Sequence, residues 1–478
     1  MKLIRKILCL VGLITILSPV SAQEMLGIVN GNYSGSSGVM INPAGFVEQK
    51  VYKDFCIAAL DVFYQNNYTI VTSGRGNFFY EFRENAMFDN HEIHAVTDQF
   101  TKGDNQAFFS YRINGPSAMY AFSKHAVAVH YASRSCQSIL NMPYYVSADY
   151  YDTDYNLALG TDYRTSGYSV NSLQWREIGV SYSGHIIDKN KDLLLGGLTI
   201  NKLNGVAGNN ISVTTANLSM NADTTLVINK FTGSQMYTAD GKSGSGSGWG
   251  FDMGLVYHRK INQYRSNSGK ACKRDFNMYR YRIGFSILDL GTLNFKNAQT
   301  RSFAIDSLPL LGADSINYFG KVMMVPASNN SGETKIGLPS ALSFQFDFFL
   351  GNNFFINSTF VNPMNSKDNM IRRTFLFSIT PRYETKGIEV NLPLTLCDNS
   401  YKRIGLSLRI YWFTIGTEHI FGMADIETST NYDFYASIKI NFVRGKCIGS
   451  NGIKNLFRGG LFGNGAAKSN VEKCRTFK

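Results

Sequence analysis

The stretch LPSALSFQFDFFLGNNFFINSTFVNP, Leu338–Pro363, decides the fold. Its first arm, Leu338–Leu350, reads as a short aromatic strand. Gly351-Asn352-Asn353 then turns the chain, and Phe354–Pro363 returns. The pattern continues through Thr374–Glu384, Gly387–Leu396, Arg403–Trp412, Phe413–Gly422 and Asp433–Phe442. Each run is roughly the 9–11 residues that a tilted transmembrane strand needs, and none nears the ~18 consecutive apolar residues of a membrane helix. Strands joined by tight polar turns predict an antiparallel meander. The reading is an all-β chain, one wall of a transmembrane antiparallel β-barrel.

Composition agrees as far as it goes. Charged residues make up 17% of the chain, below the ~25% of an ordinary globular domain. The 44 glycines against 10 prolines favour turns and close strand packing. A soluble β-protein with a large core shares this balance, so composition establishes "β-rich" and leaves the membrane to other signals.

The amino-terminal end supplies one. Lys2, Arg5 and Lys6 precede the apolar run Ile7–Leu17, and Val20-Ser21-Ala22 offers small residues at a cleavage position. That is the build of a secretory signal peptide over residues 1–22, too short to span as a helix. Cys9 lies inside the apolar run, which argues against a lipoprotein. The other six cysteines stand far apart with no C-x-x-C, so metal binding is not expected, and one or two disulfides are compatible with export.

Residues 23–53 are assigned to a separate amino-terminal segment. Gly27–Gln49 is dense in Gly, Asn and Ser, and places Asn32, Gly35 and Gly38 ahead of Asn42-Pro43-Ala44-Gly45. This Asn-x-x-Gly-x-x-Gly stretch leading to Asn-Pro-Ala-Gly resembles the amino-terminal hatch of FadL-type barrels and of the related PorV-type barrels. Tyr281–Phe295, Leu338–Phe348 and Ser378–Thr395 are similar to an outer-membrane barrel family of unknown function common in Bacteroidota. The resemblance implies a segment folded back into the barrel lumen, with Asn32, Gly35, Gly38, Asn42 and Pro43 as its marks. It also implies passage of small hydrophobic ligands. An ordinary turn before the first strand, Asp54–Tyr64, is the other reading of Asn42-Pro43.

The barrel is assigned to residues 54–443. Ala107–Ile113, Ser117–Ser123 and Ala126–Arg134 predict a second meander, turning at Asn114-Gly115-Pro116 and at Lys124-His125. Gly74–Gln106 and Lys296–Lys335 read as long loops, the second because Pro309, Gly312, Gly320, Pro326 and Gly332 interrupt its apolar runs. Tyr144–Tyr168, rich in Tyr and Asp, reads as a wet loop near an aromatic belt. Arg176–Ile187 and Leu193–Gly205 form a hairpin across Asp188–Asp192, whose Lys189 and Lys191 oppose calcium binding. Ile211–Lys230 offers two weaker strands. About 14 strands are expected in all. From Arg444 to Lys478 eight basic residues face Glu472 alone, a flexible periplasmic tail suited to anionic lipid headgroups, peptidoglycan or an acidic partner.

Chemistry is sparse. His91-Glu92-Ile93-His94 lacks the spacing of a zinc protease, and His130 and His419, both on expected strands, have no nucleophile that sequence can place beside them. Gly241-Lys242-Ser243 fails as a phosphate loop, since Met236 stands where the first glycine is needed and a strand follows. The expectation is therefore no catalytic residue, no metal, no cofactor and no nucleic acid. Expected partners are outer-membrane lipid, a small hydrophobic ligand, and a periplasmic or secretion-machinery protein. The leading function is a gated channel for small hydrophobic ligands in the outer membrane. The alternatives are a non-transporting scaffold for secretion or surface-attachment machinery, and a secreted soluble β-protein or barrel enzyme.

Overall fold

The computed structural model describes residues 25–67, 105–143, 159–165, 167–221, 226–238, 246–261, 276, 278–310, 328–365, 370–397, 401–421 and 431–444. Among these residues nineteen hydrogen-bonded segments form one sheet, and the last pairs back onto the first. Five strands are each made of two segments that run in sequence along the same neighbour, so the circuit has fourteen strands.

These strands are β1 (Val51–Asn66), β2 (Asn105–Phe122), β3 (His125–Met142), β4 (Thr161–Thr165 with Tyr168–Lys189), β5 (Asp192–Met220), β6 (Leu226–Thr238 with Gly246–Lys260) and β7 (Tyr279–Leu310). They continue as β8 (Ser328–Gly337 with Ala341–Gly351), β9 (Phe354–Pro363), β10 (Leu376–Glu384), β11 (Ile388–Asn391 with Leu394–Cys397), β12 (Tyr401–Ile404 with Leu406–Ile410), β13 (Phe413–Thr417) and β14 (Asn431–Val443). Each pairs antiparallel with its neighbours in sequence. Two of the interruptions fall at Pro339 and Pro393, which have no N–H to give to a ladder.

The face that meets the surroundings is apolar and the enclosed face is polar. One hydrogen-bonded row carries Val129, Val180, Ile200 and Phe251 outward. Val180 is 57% exposed, whereas Ser181 and Thr199, on the next row inward, are fully buried. Their hydroxyls hydrogen-bond each other at 2.8 Å. The same inversion recurs at β11, where Leu394 and Leu396 point out while Glu389, Asn391 and Thr395 are buried. A water-soluble protein would fold the other way round. Lipid outside and closed backbone pairing account for both facts at once. The chain is an outer-membrane-type β-barrel of fourteen strands.

The barrel has two unlike ends. At one, tight turns join β2 to β3, β4 to β5, β8 to β9, β10 to β11 and β12 to β13, and both ends of the barrel sequence emerge there. The Asn352-Asn353 turn has positive φ at both residues, 48° and 67°, the geometry that suits the right-handed twist of paired strands. Short turns mark the periplasmic end of such barrels. On the opposite end β4 to β7 run well past their neighbours and enclose a second, apolar core that includes Ile211, Val213, Phe231 and Phe303.

Several expectations are corrected. Asn114-Gly115-Pro116 is no hairpin turn. It is a bulge inside the continuous strand β2, whereas the turn expected at Lys124-His125 is present, one residue earlier, at Ser123-Lys124. The bulge accommodates a proline within a paired strand, which sequence alone could not separate from a turn. Lys296–Leu310 is strand, since β7 extends to Leu310 and pairs with β6 from Ala298 on, and Ser328–Gly337 is strand as well. Ile211–Met220 belongs to one long β5. Thr161–Thr165 extends β4 where a loop was expected. Val51–Lys53, placed above in the amino-terminal segment, opens β1. His419 lies beyond the end of β13 at Thr417. The expected signal sequence, His91, His94, most of Gly74–Gln106 and the expected tail from 445 lie outside the described residues, as do 144–158, 239–245 and 311–327.

A charge placed in the outward row should be costly. Val180→Arg is expected to destabilise the barrel by about 2–4 kcal/mol, the scale for a cation near the bilayer midplane, in equilibrium urea unfolding from phosphatidylcholine vesicles. Lys191→Ala, in a periplasmic turn, should stay within about 0.5 kcal/mol. Equal effects at the two sites would contradict the assignment of the lipid face.

Candidate functional site

Residues 25–50 do not pair with the sheet. They form a short helix α1 (Leu26–Val29) and two 3-10 turns, Gly35–Met40 and Gly45–Glu48, and almost every residue is buried. The sequence explains the form, since Gly, Asn and Ser disfavour a long helix or a strand and supply local side-chain hydrogen bonds instead. The segment lies within the ring of strands, because its partners come from all round the barrel wall.

Backbone groups left unpaired by such irregular structure need acceptors and donors from elsewhere. Buried carboxylates on the wall take several of the N–H groups. Glu418 accepts from the Leu26 amide at 3.1 Å, Glu384 from Asn32 at 3.2 Å, and Asp54 from Ser36 at 2.8 Å. Side chains of the wall also donate to carbonyls of the segment. Lys439 Nζ reaches the Ser34 oxygen at 2.7 Å, Ser286 Oγ reaches Ile41 at 2.6 Å, and Ser183 Oγ reaches Ala44 at 2.6 Å. Arg444, expected in a solvated tail, is buried instead and donates to Val47 and Gln49, each at 2.7 Å.

The five residues singled out in the sequence are spread along this segment. Asn32 gives its Nδ2 to Glu384 Oε1 at 2.7 Å and accepts from Tyr279 Oη at 3.1 Å. Gly35 adopts φ +58° directly against the Asp54 carboxylate, where a Cβ would stand 2.3 Å from Cγ, so both its backbone and its space call for glycine. Gly38 accepts the Ile41 amide, closing the first 3-10 turn, and also the Asn42 amide at 3.3 Å. Asn42 donates to Gln345 Oε1 at 2.9 Å and to the β7 carbonyl of Phe285 at 3.2 Å, while its Oδ1 accepts the Ala44 amide at 2.9 Å. Pro43 presses its carbonyl on Gly197 of β5, where a Cβ would come within 2.0 Å of that oxygen.

What the sequence reading missed is the wall side of these contacts. One cluster joins Lys50, Glu384, Arg382, Asp347 and Arg282, with contacts of 2.7–3.0 Å among fully or nearly buried side chains. Arg282 and Arg382 each also donate to the Asn30 carbonyl at 3.1 Å. Tyr33 lies between Lys50 and Arg409, whose charged ends are 5.2 and 4.6 Å from its ring centre, a cation–π arrangement. Burial first, and then the Glu384 carboxylate, push the Tyr33 phenol above its usual range, so it remains neutral. A second cluster lies toward the far end, where Arg134 holds Asp289 through two bonds of 2.6 and 2.8 Å, Arg373 adds a third, and Arg112 engages Glu177. A signal for these existed. Arg382, Glu384, Glu389 and Arg409 occupy alternate positions in otherwise apolar strands, as lumen-facing residues must.

Among the described cysteines, Cys56 and Cys136 are buried free thiols. His130 stands on β3 and His185 Nε2 contacts Glu48 of the segment at 2.9 Å.

Gly197→Val is expected to dislodge the segment, because the new side chain occupies the position of the Pro43 carbonyl. The readout is trypsin cleavage after Lys50, slow in the parent protein and fast in the variant, with retained heat-modifiable migration on gels showing an intact barrel. Glu384→Gln leaves Lys50 and Arg382 short of their acceptor. A loss of about 3–5 kcal/mol in urea unfolding is the expected scale for breaking a buried charged pair.

Three solved structures are similar to this chain at low identity. The Ralstonia pickettii toluene transporter TbuX is 11% identical, with a TM-score of 0.41 over 89% of this chain and 98% of that one. The Pseudomonas putida toluene transporter TodX is 8% identical, with a TM-score of 0.34 over 88% and 96%. The translocator domain of the autotransporter NalP from Neisseria meningitidis is 7% identical, with a TM-score of 0.29 over 80% and 88%. No curated protein matches the sequence. Residues 43–425 match the family of unknown function DUF5723, and the chain belongs to that family.

Proposed function

We propose that the protein is a gated outer-membrane channel for small hydrophobic ligands, with residues 25–50 as the gate. The observation that carries this reading is how the segment is held. It fills the lumen through side-chain hydrogen bonds and ion pairs, with no strand pairing to the barrel. Such contacts can be exchanged without opening the sheet. The barrel is closed by its own fourteen strands and does not need the segment for its edges. Asn32, Gly35, Gly38, Asn42 and Pro43 are then the residues that shape and seat the gate. A hydrophobic solute suits the apolar inner core of the extended β4–β7 end, which it would meet before the polar lumen.

A second reading has its own support. The charged clusters around Glu384 and Asp289 pack the lumen firmly, as a filled barrel serving as a scaffold would require. The working parts would then be the long connections and the basic tail, with a secretion-machinery or other periplasmic protein as partner.

Planar-bilayer conductance separates the two. Deleting Gly27–Gly45 from the refolded protein is expected to produce or enlarge single-channel conductance and to raise liposome permeability. Silence in both forms, with intact barrel circular dichroism, would sink the channel and favour the scaffold.

A further inference from the structure

The outward face of β3 to β6 carries a feature that neither the gate nor the lumen uses. Along β4 the outward side chains run Ser172, Gln174 and Arg176, then Ile178, Val180 and Tyr182, so the apolar belt ends between Arg176 and Ile178. This edge faces the end with the long connections, the extracellular side. The register sets Tyr131, Ile178, Lys202 and Trp249 in one row, and Ser133, Arg176, Asn204 and Ser247 in the next. Two cations from neighbouring strands thus stand where lipid meets water.

They stand around an open depression of about 500 Å³, lined on its outward rim by Tyr131, Arg176, Lys202, Asn204 and Ser247. Lys202 is fixed in place, its Nζ donating to Ser247 Oγ at 3.0 Å and lying 4.8 Å from the centre of the Trp249 ring. Trp249 itself is 53% exposed, the position of an interfacial anchor. Glu177, on the inner side of the depression, turns its carboxylate inward, away from Lys202. Its carboxylate is taken up by Arg112 at 3.2 Å, Arg134 at 3.4 Å and the Trp175 indole at 2.9 Å.

We propose that this depression binds the phosphate group of a lipid headgroup in the outer leaflet, of the kind carried by a phosphorylated glycolipid. Lys202 and Arg176 would supply opposing charge, Ser247 and Asn204 hydrogen bonds, and Trp249 and Ile178 contact with the acyl chains just below. Charge pairing and a polar rim above an apolar wall together select an amphiphile over a soluble anion.

The test uses the full chain refolded in detergent, with native mass spectrometry of added diphosphorylated lipid A. One lipid per barrel is expected at low micromolar concentration. The Arg176→Gln/Lys202→Gln double variant should bind about tenfold to thirtyfold more weakly, the scale of two cations near a membrane surface. Lys202→Arg should keep binding, and Lys53→Gln, at the opposite edge of the belt, should leave it unchanged. Heat-modifiable migration verifies folding of each variant. Equal binding by the double variant would overturn the proposal, as would equal binding of the dephosphorylated lipid. Displacement of the lipid by inorganic phosphate at comparable concentration would also overturn it, by showing a free-anion site instead.

Discussion

Lipid contact inverts the usual placement of side chains, and the rest of this structure depends on that inversion. Hydrocarbon offers no partner to a backbone N–H or C=O, so the sheet must close on itself. Outward positions within the apolar belt then take Val, Ile, Leu and Phe, while Glu384, Arg382 and Asp347 turn inward. A ring of fourteen strands built in this way has a polar interior that water or protein must fill. Here protein fills it. The residues that answer Glu384, Asp347 and Asp54 are arginines and lysines of the wall together with backbone groups of residues 25–50.

The period-two strands were therefore legible, because lipid imposes alternation on every residue of a spanning strand. Leu338–Pro363 and Ala126–Arg134 could be read directly. Beyond the membrane that constraint ends. Lys296–Leu310 and Ser328–Gly337 pair as strands in water, where polar residues are tolerated on both faces, so their prolines and glycines read as loop. Asn114-Gly115-Pro116 misled for a related reason. A turn and a bulge use the same residues, and only the partner strand distinguishes them.

Of the candidate site, only the residues within the segment could be proposed from sequence. Asn32, Gly35, Gly38, Asn42 and Pro43 stand out because unusual backbone demands unusual residues, and the segment is local in sequence. Their partners could not be found in that way. Glu384, Tyr435 and Lys439 are brought to the segment only by closure of the barrel, and nothing near them in the chain announces which of many inward polar groups will meet it. Alternation tells that Glu384 faces in. It does not tell that Asn32 waits opposite.

The seam between β1 and β14 gives the enclosed segment a place in time as well as in space. The Gly27 amide and Tyr435 hydroxyl are 408 residues apart, and Leu26 and Glu418 are 392 apart. Contacts of such span carry the whole loop-closure cost and form after the local hairpins. Until β14 reaches β1 the sheet is an open trough, and residues 25–50 rest against only part of their eventual surroundings. The final strand pairing thus completes the wall around the segment. The last residues of the barrel to be synthesised, up to Arg444 with its hold on Val47 and Gln49, complete the enclosure of the residues that precede the first strand.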